Sequence, residues 1–406
     1  MRSRYLDLLR SLAIVRVVVY HVTGWAGLTL VFPAMSVMFA VAGSLMAASL
    51  DRCRIAERSG LSAVGRRLRR LLPSLWVVAA VFVPAMLVAG GVPVSWRLVF
   101  WLVPLGDLPA NEWGTIALGT LWYLRDYLWF VLLSPVALRL FRRWPLPTLV
   151  APYLLLVAVE SGLLETGDAV VRDVGLYFGA WLLGFAHHDG LLRRWSRPAL
   201  LAVAGVAATA GGLWLLTHPG DRGYDLNEVP LGNALWSGAF ILVLLGLAPT
   251  GLPRLARSGP VDRAVTLLNR RALTVYLWHM PAIVLLTPLL GRVGWTHNDP
   301  VGLTVRLTAV LVCVGLAVLA LGWVEDLAGR RRPVLLPGGS TDRTPSVPAS
   351  PSAPNSAGAP ASPSAPGHPL TVMSPLPECR SSRIDAGGSC WTPIRFSPED
   401  ERDFTR

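Results

Sequence analysis

The chain has 406 residues, 53% of them hydrophobic and 15% charged, with a mean hydropathy of +0.49. A soluble domain carries about 25% charged residues, so a soluble globular protein is excluded and a polytopic membrane protein is indicated. The net charge is +12, and all 37 basic residues are arginine. They fall at the ends of apolar runs and not on one polar face, which argues against nucleic-acid binding.

The first apolar segment runs from Leu8 to about Leu30 and carries Arg10, Arg16 and His21. Arg16 interrupts the apolar run and the segment is long enough to span, so it reads as an uncleaved first helix and not as a signal peptide. Windows of about 20 apolar residues then predict about ten spans, at 8–30, 32–50, 72–91, 120–141, 145–163, 171–188, 199–217, 231–250, 272–291 and 302–324. The fold class expected is an all-α bundle of transmembrane helices over residues 1–325.

The connections alternate in charge. Arginines crowd before span one and after spans two, four, six, eight and ten, including Arg66, Arg67, Arg69 and Arg70, Arg142 and Arg143, and Arg330 to Arg332. The opposite connections hold only Arg97, Arg172, Arg222 and Arg292, among acids such as Asp107, Glu112, Asp221, Asp225 and Glu228. The positive-inside rule places both termini in the cytoplasm of a multi-pass plasma-membrane protein. Arg16, Arg125 and Arg306 remain inside spans and are expected to face the bundle interior. Asp126 follows Arg125 directly and is not expected to share its helix face.

From Pro333 the composition changes. Thr341 to Pro369 is a Pro/Ala/Ser tract that cannot bury a core, so residues 333–406 are expected to form a disordered cytoplasmic tail. Cys53, Cys313, Cys379 and Cys390 show neither metal-ligand spacing nor a disulfide framework. No metal site is expected.

Four patches stand in a recognisable order. Asp7-Leu8-Leu9-Arg10 is followed by His21 after ten intervening residues. Ala42-Gly43-Ser44 lies in span two, and Trp122-Tyr123 with Pro135 lies in span four. Tyr276-Leu277-Trp278-His279-Met280-Pro281 opens span nine. In this order and spacing the chain resembles the acyltransferase 3 family of integral-membrane O-acyltransferases over residues 1–325. The resemblance implies catalytic roles for Arg10 and His21, with Arg16, Trp122, Tyr123, Arg125, Asp126, Tyr276 and His279 as substrate-binding candidates. It implies acyl-CoA as a donor co-substrate, no permanently bound cofactor, and a hydroxyl on a sugar, cell-envelope glycan or secondary metabolite as acceptor. Two departures stand out. Ala42-Gly43 replaces a Ser-Gly pair, and Tyr127 and Leu128 occupy positions where many members carry glutamates.

The residue types suit acyl transfer independently. An acceptor hydroxyl needs a base as it attacks a thioester, and histidine titrates in the right range. The route is either direct transfer assisted by His21 or a transient acyl-histidine. Arginines suit the phosphates of a CoA donor, although Arg66 to Arg70 equally suit topology setting and lipid headgroups. His279 is expected either to pack helices or to line the site. His187 and His188, at a helix end, require only solvent or the helix dipole. The alternative reading is a transporter or flippase, but no internal repeat of the kind transporters show is visible.

Overall fold

A computed structural model describes residues 4–247, 259–294 and 299–335. The tail predicted from residue 333 lies, beyond Leu335, outside the described residues. Among the described residues the chain is helical, and its one extended feature is a bridge between Gly220 and Gly223.

The helices are α1 (Arg4–Thr23), α2 (Gly27–Val31), α3 (Ala34–Ile55), α4 (Leu61–Val88), α5 (Glu112–Ala117), α6 (Trp122–Arg143), α7 (Pro145–Glu160), α8 (Ala169–His188), α9 (Arg197–Thr217), α10 (Pro230–Leu247), α11 (Gly259–Arg270), α12 (Ala272–Arg292) and α13 (Pro300–Ala328). Seven described helices, α3 (counted with α2), α4, α8, α9, α10, α12 and α13, are long and apolar enough to cross a membrane. The predicted set also included α1 and α6, which carry more charge, and α7, which is a shorter apolar helix of 16 residues. The predicted count of about ten is therefore approximate.

Local chemistry sets the boundaries. The first span was predicted to continue to Leu30, but α1 ends at Thr23. Gly24 adopts the left-handed region, φ 65°, and its N–H donates to the Tyr20 carbonyl at 2.7 Å. Asp168, Ser196 and Asp299 cap α8, α9 and α13 by accepting from backbone N–H groups two or three residues on. α4 starts at Leu61, so Arg66 to Arg70 ride on its first turns and not in a loop as expected. α11 was read as part of an arginine-rich connection. It is an amphipathic helix whose Val265 packs on Leu8 of α1, while Asn269 Nδ2 donates to the Asp7 carbonyl at 2.7 Å.

α1 is the hub, packed against α3, α11, α12 and α13. α3 and α8 form the most extensive helix pair, because two glycines let the backbones approach. A Cβ added at Gly43 would collide with the Trp181 carbonyl, and one at Gly184 with the Ala40 carbonyl. Small residues at crossings are what bind helices where lipid gives no hydrophobic drive. The Gly of the Ala42-Gly43-Ser44 patch is thus spent on this contact. Outward faces of α9 and α13 expose Val206, Leu213, Leu311, Val312 and Leu316, an apolar area that water does not tolerate and lipid does. The three arginines within spans turn inward as expected. Arg16, Arg125 and Arg306 are all buried.

Candidate active site

His21 sits in the last turn of α1, deep in a cavity of about 320 Å³ that opens at the end of the bundle away from Arg10. Arg16, Trp122 and Tyr276 line the same cavity, together with Tyr177, Arg172 and Arg222. The His21 ring is fixed by its own helix, because Nδ1 lies 2.9 Å from the Val17 carbonyl. A carbonyl can only accept, so Nδ1 carries the proton and Nε2 keeps its lone pair. That is the tautomer a general base needs.

His279 stands beside it, with ring centroids 5.1 Å apart. Its Nδ1 faces the Tyr276 carbonyl at 2.6 Å, and its Nε2 is buried without a hydrogen-bond partner. His279 is fully buried and does not itself line the cavity; its ring packs against His21. Tyr20, next to His21, donates to Asp225 Oδ2 at 2.6 Å, and Asp225 is fully buried. This pins the α9–α10 connection over the end of α1.

The remaining candidates divide. Tyr123 does not line the cavity but joins a ladder of rings. Its ring centroid is 6.1 Å from Tyr127 and 5.1 Å from Tyr276, and Tyr276 in turn is 5.7 Å from His279. The far end of the ladder is basic, because Arg67 Nη1 donates to the Tyr127 hydroxyl at 3.1 Å. Arg10, Arg67 and Arg331 all lie within the electrostatic field of Arg70. Arg10 and His21 are therefore not one cluster. They stand about 16 Å apart along α1, joined by a line of aromatic side chains. The tyrosine at position 127, where many members carry glutamate, is a rung of this line.

Arg125 and Asp126 form a separate network. Arg125 Nε donates to Asp126 Oδ1 at 3.0 Å, and its terminal nitrogens donate to Asp107 and Asp173. Asp126 was not expected to share a helix face with Arg125, and successive helical residues do diverge; the two meet because the guanidinium is long enough to fold back. Only Asp173 connects this network to the cavity wall.

The sequence reading missed Tyr20, Arg172, Asp173, Tyr177, Arg222, Asp225 and Asn227. The available signal was weak. Arg172 and Arg222 are two of the four arginines on the otherwise acidic side. At the other end, Asp51, His188 and Asp189 come close enough together to suggest a metal site. Arg142 already fills that grouping, donating to both oxygens of Asp51 at 2.8 Å and to both of Asp189 at 2.7 and 2.9 Å. His188 was expected to need only solvent or the dipole. Its Nε2 instead meets Asp51 at 2.9 Å, and His187 Nδ1 meets Ser44 Oγ at 3.0 Å.

Residues 3–324 match the family model of the acyltransferase domain, acyltransferase 3. The chain belongs to the acyltransferase 3 family. Among curated proteins it is similar to Nodulation protein 10 of Rhizobium leguminosarum bv. viciae. The two are 27% identical over 368 residues, which covers 75% of this chain and 89% of that protein. No solved structure matches. This acyltransferase 3 member is accordingly a multi-pass membrane protein and an acyltransferase.

Proposed function

We propose that the protein moves an acyl group from a cytoplasmic acyl-CoA to a hydroxyl of an acceptor that enters the cavity from the outer face. The observation that carries the proposal is His21, whose Nε2 lone pair faces a cavity reached from the end opposite the arginine cluster. The positive-inside rule makes the Arg10 end cytoplasmic. Arg10, Arg67, Arg70 and Arg331 converge there, four cations suited to the phosphates of CoA. Glu325 is the acid nearby, and its Oε1 is already held by the Thr274 N–H at 2.7 Å and the Thr274 hydroxyl at 2.5 Å.

The pantetheine arm then lies along the tyrosine ladder and brings the thioester to His21. His21 Nε2 takes the proton of the acceptor hydroxyl as its oxygen attacks the thioester carbonyl. The C–S bond breaks, and the imidazolium returns the proton to the departing thiolate. His279, wedged against His21, holds the ring in place. The ester product leaves by the outer cavity and CoA by the cytoplasmic face.

Sealed inside-out vesicles test this. Labelled acetyl-CoA is supplied outside, with hydroxylated glycans enclosed in the lumen. The expected result is labelled ester in the lumen, dependent on the protein. Label that never reaches the lumenal glycans would contradict the proposal.

A further inference from the structure

Resting on this acyl-transfer reading, we infer that the acceptor is an anion. It is a hydroxylated molecule bearing a carboxylate or phosphate, which Arg16 and Arg172 grip in the outer cavity so that a hydroxyl meets His21.

The case begins with Arg16. It is 9% exposed and lies within a membrane helix. Its Nε donates to the Leu28 carbonyl at 3.1 Å, and its guanidinium carbon sits 4.9 Å from the centre of the Tyr20 ring. Among the described residues neither terminal nitrogen has a hydrogen-bond partner, and no carboxylate makes a direct salt bridge with the group. Two other buried arginines are treated differently. Arg125 meets Asp126, and Arg271 meets Asp326 at 2.8 Å. A guanidinium held inside a bundle with its terminal donors unused is expensive, and its retention marks a function.

The neighbouring acids do not occupy these donors. Asp225 acts on Arg16 through space, but its oxygens accept from the Tyr20 hydroxyl and the Asn227 N–H and not from Arg16. Asp173 lines the cavity, but Arg125 holds it. Arg172, in the first turn of α8, acts on Asp173 through space but makes no direct hydrogen bond or salt bridge with it among the described residues. Arg222, the third cation on the lining, is partnered by Glu228 at 3.3 Å. Two guanidiniums therefore face the cavity with their donors open.

A planar fork of donors matches carboxylate and phosphate oxygens in pairs. The cavity wall adds Trp122 and Tyr177, stacked at 5.3 Å and 21°, a flat surface against which a sugar ring can lie. At about 320 Å³ the space falls at the low end of the ~300–1,000 Å³ typical of small-molecule sites.

The test uses the full-length protein in nanodiscs and three probes of matched size. Methyl glucuronide carries a carboxylate, glucose 1-phosphate a phosphate, and methyl glucoside no charge. Binding is followed by titration. One or both anions are expected to bind about ten- to a hundredfold more tightly than the glucoside, the range that charge-assisted bonds supply. Which of the two wins assigns carboxylate or phosphate. Arg16→Gln should abolish the preference and Arg172→Gln should reduce it. Arg172 is at the exposed rim, so that variant remains informative even if Arg16→Gln folds poorly. Equal binding of all three probes, or an anion preference that survives both substitutions, overturns the inference. Acetyl transfer is measured in parallel to separate the two readings. Anion binding without any transfer from labelled acetyl-CoA would uphold the anion site and sink the acyl-transfer reading. Transfer that ignores acceptor charge would do the reverse.

Discussion

Arg125 is the one cation that pairs directly with Asp107, Asp126 and Asp173, and removing it should weaken the end of the bundle that holds the cavity. Arg125→Met keeps most of the volume and deletes the charge. Asp107 is largely solvated, so its pairing contributes little. Asp126 and Asp173 are 1% and 8% exposed and have no comparable alternative. Breaking a buried pair by removing one partner costs about 3–5 kcal/mol. For a chain of this size that corresponds to a fall in melting temperature of about 4–7 °C. Cys53 is buried on α3, so with Cys313, Cys379 and Cys390 replaced by serine a thiol-reactive dye reports unfolding in detergent. Asp126→Asn supplies the contrast. Three carboxylates share one guanidinium and Asp126 Oδ2 has no partner, so neutralising Asp126 should leave stability unchanged or raise it. An Arg125→Met protein that melts within a degree of wild type would refute the reasoning. So would an Asp126→Asn protein that falls as far as Arg125→Met.

Three further outcomes follow from the same geometry. Gly43→Val drives a side chain into the Trp181 carbonyl and should sharply lower the yield of folded protein in size-exclusion profiles, whereas Ala42→Ser should not. Arg10→Ala should raise the KM for acyl-CoA about tenfold or more, the scale of a lost phosphate contact, with little change in kcat. Arg10→Lys should restore this only in part because the planar fork is gone. Steady-state kinetics in membranes check both. Single cysteines at Asn111 and Ser350 should show opposite accessibility to an impermeant label in intact cells, and equal labelling would contradict the proposed orientation.

The sequence carried the parts of the fold that obey membrane physics. Long apolar runs and alternating arginine connections located the helices, because lipid demands both. It could not carry α11. That helix has 12 residues and two valines facing α1, and its polarity looks like a connection until Leu8 is seen against Val265. The break at Gly24 was equally hidden, since one residue in the left-handed region ends a helix without altering composition. At the site, His21, Arg16, Trp122 and Tyr276 were legible because an ionisable or amphipathic residue in an apolar run stands out. Arg172, Tyr177, Arg222 and Asn227 were not. They come from α8 and the α9–α10 connection, well over a hundred positions from His21, and only the packing of α1 on α3 and of α3 on α8 brings them together. The meeting of Arg125 with Asp126 was not legible, because backbone spacing says nothing about how far a guanidinium folds back.

The most direct test is acetyl transfer by His21→Ala. Membranes with matched protein levels are given labelled acetyl-CoA and an acceptor that wild type uses. Loss of the base should lower turnover by about 10²–10⁴-fold. The KM for acetyl-CoA should stay near wild type, because the arginine cluster lies about 16 Å from the substitution. A His21→Ala protein with near-normal turnover would contradict the account and move weight to a transport function for the cavity.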